Sequence, residues 1–419
     1  MNNKTAYNIL IIHNEYQYAG GEDTVVNQDA ALLKKHGHNV FFYTRKNAEL
    51  KNYTKLQKLL LPFTTIFSLK SYREIRNAIR QNQIDIVHVH NTLPLVSYSV
   101  YYAAKKEGCK LIQTIHNFRL VCPNALFYRD GHICEDCLEK GIFCSIKHSC
   151  YRGSKAQTAM VALSSKIHRI LGTFQKPDAY IALTAFNKEK ISSVVNPEKI
   201  FIKPNYLALS ESPLSDTAPA NTDFPFKAPS ALNTPVTAVD SFVPFSYYIY
   251  AARLEQVKGI FVLLEAFRKL PDEKLLLLGT GPDEEKVKEF IAKNKMNNVI
   301  CLGFTPHEKT LSYLKQAKAL IFPSLWYEGF PMTIVESLAC STPVIASNTP
   351  NITETIHPGE NGYTFTTGNA ESLYKTIQLF SSLPAETSEK IRNNAKQTYK
   401  SHFTETVIYE KLMEVYNKK

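Results

Sequence analysis

The stretch P-S-L-W-Y-E-G-F-P-M-T-I-V-E, from Pro323 to Glu336, decides how the rest of the chain is read. Glu328 is followed by Gly329, Phe330 and Pro331, and an apolar run from Met332 to Val335 leads to Glu336. Proline is favoured in the first turn of a helix, where its missing N–H would be unpaired anyway, so the pattern predicts a helix starting at Pro331. Glu328 then lies in the loop before that helix and Glu336 in its second turn. A helix start offers unpaired N–H groups and partial positive charge, which suit an anion such as a phosphate. Carboxylates at its mouth and in its second turn suit the hydroxyl groups of a sugar. Two such glutamates also fit a solvated face or a capping pair, so the surrounding sequence has to decide.

Working outward, short apolar runs alternate with helical patterns on both sides. In the first half they are Asn8 to His13, 38–43, 84–91, 110–117 and 179–184; in the second, 247–254, 274–281, 298–303, 319–324 and 343–347. Continuous apolar runs of this length are those of strands buried on both faces, and their alternation with helices predicts parallel, doubly wound sheets. Ligands of such sheets bind beyond the carboxyl ends of the strands. Three strands of the first half end there in histidine: His13, His90 and His116. The first strand is followed by Gly20 and Gly21, which allow backbone to approach a ligand or simply make a tight turn. A helix is predicted from Thr24 to His36, and an amphipathic one closes the chain from Thr404 to Asn417.

The chain has 419 residues, enough for two ordinary domains. Its apolar runs are too short to span a membrane and Met1 to Tyr7 lacks the apolar centre of a signal peptide, so a cytoplasmic protein is expected. Charge is uneven: residues 1–206 hold 28 Lys and Arg against 15 Asp and Glu, +13, whereas 207–419 hold 21 against 23, −2. With no nucleic-acid motif, a basic first half points to an anionic membrane surface or lipid phosphate, or serves solubility alone. Within it, Leu56 to Phe67 is strongly apolar, interrupted by Pro62 and flanked by Lys55, Lys58 and Lys70. That segment reads as an interfacial helix or as a buried helix pair broken at Pro62.

Cysteines cluster at Cys122, Cys134, Cys137, Cys144 and Cys150. The two-residue spacing of Cys134 and Cys137 lets two thiolates reach one tetrahedral ion, with Cys122 and Cys150 completing the set and Cys144 spare. A structural zinc is the expectation, free thiols the alternative. Residues 210–245 shift to Pro, Ser, Thr and Ala without periodicity and read as an interdomain linker.

The run E-G-F-P-M-T-I-V-E resembles the paired-glutamate signature of glycosyltransferase family 4, and A-R-L-E-Q-V-K-G at 252–259 its Arg and Lys signature. G-G-E-D at 20–23, V-H-V-H-N at 87–91 and T-I-H-N at 114–117 are similar to the family's amino-terminal elements. The cysteine segments C-P-N-A-L-F, C-E-D-C and C-Y-R-G-S look like a bacterial subgroup making cell-surface polysaccharides. The resemblance implies a GT-B fold. Two Rossmann-like domains, 1–206 for the acceptor and 246–398 for a nucleotide sugar, would face across a cleft, joined by 207–245, with 399–419 crossing back to the first. It also implies a retaining transfer that needs no metal or other catalytic cofactor, from a UDP- or GDP-linked sugar to a glycan or lipid-linked acceptor.

By the same resemblance, Arg253 and Lys258 would meet the departing phosphates, helped by backbone N–H groups of Gly329, Phe330 and Met332 beside Pro331. Glu328 would hold the transferred sugar and Glu336 the ribose. Gly20 and Gly21 would line the acceptor and diphosphate side, His116 would approach the reacting group with His90 behind it, and Glu354 would lie near the donor. Two rivals remain open at this point: a sugar-nucleotide epimerase of the same fold, and a catalytically idle membrane-associated partner.

Overall fold

The computed structural model describes residues 6–15, 21–208 and 245–418. Gly20 and nearly all of the expected linker lie outside them. Fourteen strands follow in chain order: β1 Asn8–Glu15, β2 Asn39–Lys46, β3 Ile86–Val89, β4 Lys110–Ile115, β5 Tyr128–Arg129, β6 His132–Ile133, β7 Ala179–Ala182, β8 Ile200–Ile202, β9 Tyr247–Ala251, β10 Lys274–Leu278, β11 Val299–Gly303, β12 Leu320–Phe322, β13 Val344–Ser347 and β14 Gly362–Phe365. They form two six-stranded sheets, in the orders β2-β1-β3-β4-β7-β8 and β11-β10-β9-β12-β13-β14, and one small hairpin, β5-β6. Every pairing within the large sheets is parallel. This is the GT-B arrangement of two Rossmann-like domains.

The reason lies in the central strands. Ile9 to Ile12 and Leu275 to Leu278 are almost wholly inaccessible on both faces, so helices must cover both sides of each sheet. A single strand order reversal in each sheet then leaves a crevice at the carboxyl edge. The last helix, Glu405–Asn417, completes the first domain: Leu412, Val415 and Tyr416 are buried against Ile9, Ile11 and Ile86. Its Tyr416 hydroxyl bonds His88 Nδ1 at 2.9 Å, and Tyr409 bonds His38 Nε2 at 3.0 Å.

Two sequence expectations change. The Lys55–Ile66 segment is one helix that runs through Pro62, with Thr65 its buried residue, so it is neither broken at Pro62 nor buried. Pro62 lies on an exposed stretch of this helix, where water can satisfy a carbonyl that the missing N–H leaves unpaired. Strands β5, β6, β8 and β14 fall outside the expected runs; they are elements of two to four residues, too short to carry a period.

Candidate active site

The helix after Pro331 runs from Met332 to Ala339, with Pro331 at its cap in extended geometry. Glu328 precedes it and is 7% exposed. Three donors converge on its Oε1: Lys258 Nζ at 2.7 Å, Ser324 Oγ at 2.7 Å and Trp326 Nε1 at 2.6 Å. A buried carboxylate is tolerated only when paired and hydrogen-bonded, and this one is both. Lys258 also lies 5.0 Å over the Trp326 ring. Its position follows from the backbone next to it. Gly259 has φ +75°, and a Cβ there would fall 1.8 Å from the Pro323 carbonyl oxygen, so only glycine lets the two loops touch. Leu325 N–H donates to Val257 O at 2.9 Å and ties the loops together.

Glu336 lies in the second turn of the Met332–Ala339 helix and accepts from His307 Nε2 at 2.9 Å. That hydrogen bond raises the His307 pKa above its ordinary value. Arg253 follows β9 and extends into solvent, 68% exposed, with Glu255 at 3.4 Å. It stands at the mouth of the site instead of inside it.

Across the cleft, the ends of β1, β3 and β4 bring the histidines together. His90 Nδ1 and His116 Nε2 are 2.9 Å apart with stacked rings, and His88 lies 4.4 Å from His90 between ring centroids. His13 Nε2 meets Asp23 at 2.7 Å. Burial, with neighbouring positive groups, holds His90 and His116 well below the ordinary imidazole value and pushes His88 down to about 3. These rings are therefore neutral hydrogen-bonding groups at physiological pH. Beside them opens a small, half-open pocket, lined among others by His90, Asn91, Tyr98, His116, Asn117 and Arg119. Gly21 begins the Gly21–Lys35 helix, and a Cβ there would meet nothing within 4 Å.

The two halves touch at this site. A Cβ on Gly329 would fall 2.2 Å from the His116 carbonyl oxygen. Asn187 Nδ2 donates to Gly329 O at 2.8 Å. Tyr327 packs among Phe118, Phe127 and Phe186. Glu354 also reaches across the cleft: its two oxygens accept from Ala185 N at 2.8 Å and Phe186 N at 2.5 Å. It caps the Ala185–Ile191 helix of the first domain and acts as a clasp between domains, because a carboxylate there meets two unpaired helix-start N–H groups.

Sequence reasoning missed Ser324, Trp326, His307 and Asn187. Ser324 and Trp326 lay inside the opening stretch, flanking the first glutamate, and their donor groups were the available signal. His307 and Asn187 come from distant segments, and no local pattern marks them.

The cysteines gather on the loop that carries Phe118 and Phe127. Cys137 Sγ lies 3.6 Å from Cys144 Sγ, so Cys144 is in contact with the cluster and not aside from it. A hydrogen bond from Cys137 holds the Cys122 thiol down to about 6, while Cys137 is raised by the same contact. Cys150 and Cys134 face the Arg129 guanidinium. Among the described residues no group of three or more His, Cys, Asp or Glu side chains is poised around one ion position.

Residues 19–210 match the family model described as Glycosyltransferase Family 4, and residues 242–398 that described as Glycosyl transferases group 1. The chain belongs to the glycosyltransferases. One relative, the putative colanic acid biosynthesis glycosyltransferase WcaL of Salmonella typhimurium, is 27% identical over 174 residues, which are 39% of this chain and 43% of WcaL. The matched stretch thus spans less than half the length of that relative. A glycosyltransferase from Rickettsia africae superposes with a TM-score of 0.67 at 20% identity, covering 99% of this chain and 98% of its own. HepE of Anabaena, solved with UDP-glucose, superposes at 0.64 and 16% identity over 98% of this chain and 99% of its own. At such identities the likeness is one of fold. Among the described residues of this glycosyltransferase, no helix is long and apolar enough to cross a membrane.

Proposed function

We propose that the chain transfers a sugar, with retention of configuration and without a catalytic metal, from a nucleotide sugar to a glycan acceptor in the making of a bacterial surface polysaccharide. The observation that carries this reading is the buried Glu328, held by Lys258, Ser324 and Trp326 on one wall of a cleft whose other wall is His116. Its relatives' names supply the polysaccharide class, and UDP-glucose in the Anabaena neighbour favours a UDP-linked donor over a GDP-linked one.

In this reading the bond from the anomeric carbon to the diphosphate oxygen breaks first. Lys258 and Arg253 offset the charge that develops on the leaving group, together with the N–H groups opening the Met332–Ala339 helix. Fixed charges and dipoles of this kind contribute on the order of 100-fold or more each. Glu328 orients the hydroxyls of the departing sugar, and Glu336 takes the ribose hydroxyls in exchange for His307. The acceptor hydroxyl enters on the face the diphosphate leaves, and its proton passes to the departing phosphate oxygen. His116, kept neutral by burial, hydrogen-bonds the reacting sugar without competing for that charge. The pocket beside His90 and Arg119 receives the acceptor, whose lipid-linked form would bring its own phosphate.

A thermal-shift panel of UDP, GDP, ADP and their sugars tests the donor side. A ligand at 100 times its Kd stabilises by about 2.7 kcal/mol, and a panel in which none of them raised Tm would overturn the reading. Incubation with the preferred nucleotide sugar and no acceptor separates the epimerase rival, which alone would yield a new sugar nucleotide. The anomeric configuration of the transferred sugar, read by NMR, tests retention.

The cysteine loop enters this reading as a structural zinc centre. It carries Phe118 and Phe127, which pack on Tyr327 next to Glu328, so fastening the loop steadies the cleft. Binding requires Cys134 and Cys150 to turn from Arg129 toward Cys122 and Cys137. Elemental analysis of protein purified without chelator is expected to find about one zinc per chain; metal-free protein of full stability would remove the centre from the reading.

A further inference from the structure

Eight of the fourteen large apolar side chains exposed among the described residues lie on three neighbouring pieces of chain in the first domain. They are the Lys55–Ile66 helix, the residue that opens the next helix, and the Lys155–Ile170 helix with its cap. Leu56, Leu59 and Phe63 are 63%, 71% and 69% exposed. Their spacing of three and four residues puts them on one helical stripe, facing water where an ordinary amphipathic helix would face its own core. Ile170 is 73% exposed and Leu171 60%. The two helices are tied together, since His168 Nε2 bonds Ile66 O at 2.9 Å. Contiguous exposed apolar surface of this kind marks an interaction site.

Charge says what covers it. From Leu50 to Arg73 there is no Asp or Glu but there are five Lys and Arg, and from Gly141 to Pro177 there is again none, against six. Lys55 and Lys58 lie on the same helix as the apolar stripe, and Lys70 follows it. Apolar side chains on segments that carry cations and no carboxylates, with Glu74 beside Lys70 at their edge, match a lipid surface with anionic headgroups, where the apolar groups enter the acyl boundary and the lysines meet the phosphates.

The patch also adjoins the pocket next to the histidines. Ser68 N–H, just past the first helix, donates to Ser97 Oγ at 2.9 Å in the loop that leads from the pocket residues Asn91 and Thr92. Arg169 donates to Leu120 O at 2.8 Å on the pocket's other rim. We infer that this two-helix face is a membrane-docking surface for anionic lipid, which sets the mouth of the pocket next to the bilayer. It stands on exposure and charge, independently of the proposed transfer reaction.

Vesicle flotation of the full chain tests it, with phosphatidylcholine vesicles against vesicles containing one-third phosphatidylglycerol. The chain is expected to float with the anionic vesicles at low salt and to lose much of that binding at high salt, because surface attraction is screened. Leu59→Glu with Phe63→Glu should abolish flotation. Lys55→Glu with Lys58→Glu should lower it by on the order of tenfold. Ile170→Glu with Leu171→Glu, on the other helix, provides an independent variant, and unchanged thermal melts show that each still folds. Equal flotation with both vesicle types at all salts, or wild-type flotation by the apolar-face variants, would overturn the inference. So would a concentration-dependent dimer in gel filtration that the same substitutions dissolve, since a second copy would then be the occupant.

Discussion

Gly329 is a point of close contact between the two domains, where an added side-chain carbon would meet a backbone carbonyl. Gly329→Ala would put a methyl 2.2 Å from the His116 oxygen, so the cleft can accommodate it only by opening. We expect turnover to fall by on the order of 100-fold, as for other small misplacements of reacting groups, with nucleotide affinity changed only a few-fold, measured by steady-state kinetics and calorimetry on the same preparation. Arg253 makes the contrasting case. Being 68% exposed it contributes little to stability, and Arg253→Ala should leave Tm within about 2 °C while turnover drops on the order of 100-fold or more. A large drop in Tm would mean that the residue acts on the fold and not on the leaving group.

At the scale of elements, strands β3 and β4 carry a penalty in acid. His88, His90 and His116 have pKa values held by burial below the unfolded value of about 6.5. As pH falls through 6.5 the unfolded chain takes up protons on all three rings while the folded chain does not, so stability is lost toward acid and regained toward neutrality. At pH 5.5 the three together cost about 4 kcal/mol relative to pH 7.5. Urea unfolding at the two pH values measures this, and His90→Gln should remove roughly a third of the difference. The same elements show what was legible beforehand. The ten longer runs were readable as strands because each is a continuous apolar stretch, and the Glu328 and Glu336 spacing was readable because a proline marks the helix start. The His90–His116 contact joins the ends of two strands, so the histidines could be seen but not their pairing. The role of Glu354 depended on where the Ala185–Ile191 helix of the other domain begins, and no spacing within the Glu354 segment contains that.

At the scale of the molecule, the last helix is what makes the first domain whole. Leu412, Val415 and Tyr416 each bury nearly all of their surface on it, which corresponds to about 5–8 kcal/mol of apolar burial, comparable with the whole stability of many domains. A chain ending at Thr404 is therefore expected to lose its cooperative thermal transition by circular dichroism, although the second domain keeps its own sheet. Tyr416→Phe should be far milder, since it gives up only the bond to His88. Finally, the chain has one tryptophan, and its indole N–H is bonded to Glu328 while Lys258 lies over its ring. Indole emission from this protein thus originates at a single point, the donor wall of the cleft. A shift in its colour or intensity on adding a nucleotide sugar would report occupancy and closure there in real time, with no label attached and no background from elsewhere in the chain.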